Sequence, residues 1–92
     1  MIEKKVIIKN ETGLHARPAA SVVQFAKNFQ GSVQLVKDGK VANSKSIFNV
    51  MALGVAKDQE IIVRVNGEGE EEFIDKLIGV IYPAFAGASS AP

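Results

Sequence analysis

The spacing of apolar residues changes several times along the chain. Over residues 2–8, Ile2, Val6 and Ile8 share one parity while Glu3 and Lys5 take the other. That is the period of a strand with one buried face. Asn10-Glu11-Thr12-Gly13 interrupts it. Over residues 16–29 the interval lengthens. Ala19, Val22, Val23, Ala26 and Phe29 recur at helical spacing, with Phe25 flanking the stripe. Pro18 falls in the first turn, where the missing N–H leaves no intrahelical bond unmade, and Gly31 supplies a stop. Ser32–Lys37 and Lys40–Asn43 read as a hairpin around Asp38-Gly39, since an Asp-Gly pair tolerates the positive φ of a two-residue turn. Val33 and Leu35 are expected to face the core.

Ser46 is a favourable N-cap for a short helix over 47–53, closed by Gly54. Residues 59–66 contain the run Ile61-Ile62-Val63-Arg64-Val65, which reads as a buried strand. Asn66-Gly67-Glu68-Gly69 turns the chain into a last helix over 70–82. Its leading glutamates suit the positive end of the helix dipole, and Phe73, Ile74, Leu77, Ile78 and Ile81 form its apolar stripe. Pro83 ends it. The order βαββαβα predicts a two-layer α+β domain, with helices on one face of a mostly antiparallel sheet. One domain is expected over 1–83. Residues 84–92, rich in Ala, Ser and Gly, are expected to be a flexible tail.

Composition narrows the chemistry. A net charge of +1 with dispersed lysines gives no nucleic-acid footprint. Without cysteine there is neither a disulfide framework nor a thiolate site, which fits a reducing cytoplasm. One histidine and scattered carboxylates make poor metal ligands, so no metal and no cofactor are expected. The first ten residues do not read as a signal peptide, and no stretch approaches the roughly 20 apolar residues of a membrane span.

The informative segment is Thr12-Gly13-Leu14-His15-Ala16-Arg17-Pro18-Ala19-Ala20. It sets the only histidine where a loop enters a helix. A neutral imidazole nitrogen is nucleophilic near neutral pH. Free N–H groups and the positive end of the helix dipole favour an anion, and Arg17 offers a guanidinium for phosphate oxygens. Together these suit a transient phosphohistidine. The residue chemistry also allows the plainer reading, in which His15 and Arg17 are polar surface residues of an α+β interaction module without covalent chemistry.

Gly13-Leu14-His15-Ala16-Arg17-Pro18-Ala19-Ala20 resembles the active-site signature of HPr, the histidine-containing phosphocarrier family of the bacterial sugar phosphotransferase system. Lys45-Ser46-Ile47-Phe48-Asn49-Val50-Met51-Ala52-Leu53-Gly54 resembles that family's second marker at the family's spacing. The likeness runs from about Ile2 to Tyr82. It implies an open-faced β-sandwich, in which a four-stranded antiparallel sheet is covered by three helices. It implies that His15 accepts phosphate at Nδ1 from phosphorylated enzyme I and passes it to an enzyme IIA domain, with Arg17 steadying the phosphoryl oxygens. Such a protein is a carrier in a relay, not an independent catalyst. No second histidine or acid–base pair is evident for turnover.

The resemblance also implies a regulatory site at Ser46, the target in some members of an HPr kinase/phosphorylase, whose product binds a catabolite-control regulator. Phe48, Met51 and Ile47 are the expected partner contacts, since a helix this brief cannot bury every face; Leu53 belongs to the same apolar group. Arg17, Lys27, Lys45 and Lys57 are candidates for steering an acidic partner. The chain is expected to be a cytoplasmic monomer, with no nucleic acid and no membrane insertion. Its apolar ending Ile81-Tyr82-Pro83-Ala84-Phe85 and longer tail depart from the family pattern. Asn49, Ala52 and Gln59 leave open the sugar branch or a nitrogen-related or other regulatory phosphotransferase chain.

Overall fold

A computed structural model describes residues 1–8 and 16–81, and of residues 16–18 the backbone alone. The elements are β1 (Ile2–Ile7), α1 (Ala16–Ala26), β2 (Ser32–Lys37), β3 (Lys40–Asn43), α2 (Ile47–Ala52), β4 (Glu60–Asn66) and α3 (Glu70–Ile81). This is the predicted βαββαβα order. The four strands form one sheet in the order β1-β4-β2-β3, with every neighbouring pair antiparallel.

Register explains which side chains are covered. Val65, Val63 and Ile61 of β4 lie opposite Ile2, Lys4 and Val6 of β1, while Val65 and Val63 also face Val33 and Leu35 of β2. That face packs against α1, α2 and α3 and holds the core, including Val22, Ala26, Val50, Ile74 and Leu77. The opposite face is uncovered. There Glu3, Arg64 and Gln34 form one row, in which Arg64 meets both neighbours. The run 61–65 therefore alternates: Ile61, Val63 and Val65 are buried, while Ile62 and Arg64 are half-buried on the open side. Lys4 stands on the helical face by register, but β1 is an edge strand. Its ammonium escapes over the rim to Asp75 of α3, at 2.6 Å.

The boundaries differ from expectation in ways the hydrogen bonds explain. Helix α1 ends at Ala26, before the expected Phe29. Asn28 and Phe29 donate three residues back, to Phe25 and Ala26, so the last turn tightens. Phe29 keeps the helical rhythm because its ring stacks on Phe73, with centroids 4.5 Å apart; Phe25 stacks on Phe73 at 5.0 Å. A Cβ on Gly31 would collide with the Asn66 carbonyl and lie 2.6 Å from the Phe29 ring. Gly31 is thus needed for close approach. Strand β1 ends at Ile7, yet Ile8 stays fully buried, exchanging backbone bonds with Asp58 and Gln59. Strand β4 begins at Glu60, because Gln59 turns back to bond Ala56 through both its N–H and its side chain. Helix α2 stops at Ala52, with Leu53 as C-cap. The hairpin turn is as expected, with φ of 50° at Asp38 and 81° at Gly39. The end of α3 expected at Tyr82, and the boundary expected after residue 83, lie outside the described residues.

Helix α3 is fastened at its start by a reciprocal pair. The Glu70 N–H donates to the Gly67 carbonyl (3.2 Å), and the Gly67 N–H donates to Glu70 Oε1 (3.0 Å). The Met1 ammonium lies 3.1 Å from Glu70 Oε2. The Gly67 bond, with help from the ammonium, holds the Glu70 carboxyl below the usual carboxylate range. A depressed folded-state pKa adds stability above the unfolded value, about 4.3, and loses it as pH falls through the folded value. Glu70→Gln should therefore lower the melting temperature at pH 7. Melting curves collected from pH 7 downward should show the gap to the parent protein closing below about pH 4.

Candidate functional site

The motif residues fall on two helices. His15 lies outside the described residues; in sequence it immediately precedes α1. Arg17 lies in the first turn of α1, and its side chain is outside the described set. That turn carries no acidic residue, so nothing there offsets the positive end of the helix dipole. Helix α1 packs against α2 and α3.

The second motif is fully described. Ser46 has extended backbone angles (φ −123°, ψ 117°) and caps α2. Its Oγ accepts from the Asn49 N–H at 3.4 Å and from Asn49 Nδ2 at 3.1 Å. Ser46 as a residue is half-buried. Val50 alone among the α2 side chains is fully buried. Phe48 is 83 % exposed and Met51 38 %, while Ile47 is half-buried against the core. Leu53, grouped with them by sequence, is buried and belongs to the core. The short helix thus spends one side on the fold and offers the other, with an exposed phenyl ring, to solvent.

The lysines are less alike than the sequence suggests. Lys45, expected to steer a partner, directs its ammonium to the carbonyls of Phe29 (2.6 Å) and Gly31 (2.9 Å), where the chain leaves α1. Lys37, which motif reading passed over, donates to the carbonyls of Leu53 (3.3 Å) and Gly54 (2.9 Å), just past α2. Lys27 is exposed. Among the described residues no cluster of His, Cys, Asp and Glu is placed to hold a metal, and no helix is long and apolar enough to cross a membrane.

Comparison with known proteins agrees with this arrangement. Residues 2–82 match the family model described as the PTS HPr component phosphorylation site. The chain is 43 % identical to the HPr-like protein Crh of Bacillus subtilis, over 88 % of this chain and 95 % of the relative. It is 40 % identical to the phosphocarrier protein HPr of Buchnera aphidicola, over 84 % of this chain and 91 % of the relative. Among solved structures, HPr of Thermoanaerobacter tengcongensis superimposes with a TM-score of 0.87 at 43 % identity, covering 94 % of this chain and 97 % of the other. The fold and motifs define a small phosphocarrier built as an open-faced α+β sandwich. The chain belongs to the HPr family of the phosphotransferase system.

The exposure of α2 separates folding from surface roles. Phe48→Ala should leave the unfolding free energy within about 0.5 kcal/mol of the parent. Val50→Ala, which empties the buried position, should cost roughly 2 kcal/mol. Urea denaturation of both variants measures the contrast.

Proposed function

We propose that this protein relays a phosphoryl group through His15, from phosphorylated enzyme I to an enzyme IIA domain of a sugar phosphotransferase system. The observation that carries the reading is the family match over residues 2–82, with a histidine standing in Gly13-Leu14-His15-Ala16-Arg17-Pro18. In the proposed step His15 Nδ1 attacks the phosphorus held on the donor's histidine. The donor's P–N bond breaks as the new N–P bond forms, and the donor imidazole leaves with the electron pair. Helix N–H groups and Arg17 meet the added negative charge, each charged hydrogen bond contributing about 1.5–3 kcal/mol. The group then leaves by the same exchange with the acceptor histidine. Turnover belongs to the partners, so the protein is a carrier and not an enzyme in its own right. No cofactor is required. The working unit is one copy of the chain, in the cytoplasm.

Partners dock on Phe48, Met51 and Ile47 in this reading, supported by the exposure of the first two. Phosphorylation of Ser46 by an ATP-dependent kinase regulates that docking. Its support is the capping role of half-buried Ser46, two residues from Phe48. The added charge sits favourably at a helix start while repelling an acidic partner. A second reading, a regulatory variant acting mainly through Ser46, draws support from the similarity to Crh. The presence of His15 favours the carrier.

Intact-protein mass spectrometry after incubation with phosphoenolpyruvate, magnesium and enzyme I should show a single phosphoryl adduct that mild acid removes and that His15→Ala lacks. No adduct with active enzyme I would favour the regulatory reading. Ser46→Asp should slow transfer from enzyme I severalfold with little change in melting temperature; an unchanged rate would remove the regulatory role.

A further inference from the structure

Helix α2 has six residues, too few to persist without tertiary support, and a single fully buried side chain, Val50. Its two ends are held by lysines. At the start, Lys45 binds the carbonyls of Phe29 and Gly31. At the far end the chain turns at Gly54, whose φ is +63°, and the Leu53 and Gly54 carbonyls lie beyond the helical bonds. Lys37 answers both.

Nothing in the hairpin itself asks for a lysine at 37. The register places it directly opposite Lys40, and like charges so placed are unfavourable. It continues the row of Val33 and Leu35 on the helical face, where an apolar residue would suit the core. Beside α2 lies an open groove of about 290 Å³, lined by Lys40, Val41, Phe48, Asn49, Ala52 and Leu53. Leu53 is seated in the core, and Lys37 adds the polar link to the carbonyls at that end of the helix.

We infer that Lys37 is the positioning residue of the docking helix. Its ammonium, seated on the Leu53 and Gly54 carbonyls, fixes the orientation in which α2 presents Phe48 and Met51. The inference rests on the docking role proposed for α2. Neutralising Lys37 removes the polar link at that end of the helix, loosening it around the Leu53 anchor without disturbing the sheet. Arginine keeps the charge and the donors.

The test uses the full chain with Lys37→Met, Lys37→Arg and Phe48→Ala. Amide hydrogen exchange reports α2 through the Val50, Leu53 and Gly54 N–H groups, each bonded within the helix or its cap. Lys37→Met should speed exchange there about tenfold, with Leu35 and Val63 in the sheet unchanged. In enzyme I-dependent phosphorylation its KM should rise about threefold or more at constant kcat. Lys37→Arg should restore both. Unchanged exchange at α2, or faster exchange spread equally over α2 and the sheet, overturns the inference. Phe48→Ala separates the two readings. An unchanged KM in that variant removes the docking role of α2, whereas the anchoring by Lys37 is decided by the exchange rates.

Discussion

Everything in this molecule depends on one shared apolar layer. Val33, Leu35, Ile61, Val63 and Val65 all project from the same face of the sheet, and the stripes of α1 and α3 close over them. Strands alternate with a period of two and helices with about 3.6, so one layer can serve both only if register is kept throughout. A slip of one residue in β4 would bring Ile62 and Arg64 inward. The hairpin turn at Asp38-Gly39 fixes the register of β2 against β3. The close seat of Phe29 against Gly31 and Gly67 fixes where α1 hands over to the sheet.

Helix α2 stands apart from that layer. It enters the core through Val50, with Ile47 against the core and Leu53 buried at its C-cap, and polar contacts fasten its ends. A carrier has to meet several proteins in turn, and a docking element cannot be fully consumed by its own fold. The helix is held by Val50 and Leu53 in the core and by lysine ammonium groups on backbone carbonyls, which leaves Phe48 outside. The proposed phosphorylation site caps the same helix, so the element proposed to meet partners is also the one such a modification would alter. In the proposed reading, chemistry at the start of α1 and recognition on α2 fall to separate short segments, and the two helices pack against each other.

The order of elements was legible because each depends on local signals. Asp38-Gly39 permits little besides a tight turn, and Ser46 followed by an apolar run marks a helix start. The end of α1 was not legible, since Phe29 keeps the helical period from a tightened turn and satisfies it by stacking on a residue of α3. Lys4 shares the parity of core residues, and only its place on an edge strand explains its exposure. Ser44, fully buried beside Val33, carried no sequence signal of burial; its hydroxyl has no hydrogen-bond partner among the described residues. At the candidate site the two motifs were visible in full, and the exposure of Phe48 and Met51 matched expectation. The tasks of Lys37 and Lys45 were hidden because both reach carbonyls some 14 to 17 residues away.

The pairing of β1 has a consequence for how the chain is made. Ile2 sits opposite Val65, and β1 has no other neighbour in the sheet. During synthesis β1 lacks its sheet partner until β4, at Glu60–Asn66, has emerged. The β2–β3 hairpin can close much earlier, since its strands adjoin in sequence. The topology thus favours closure of the local hairpin ahead of the long-range β1–β4 pairing. Lys4 and Lys5 place charge on this edge strand, the kind of residue that discourages pairing with a foreign strand.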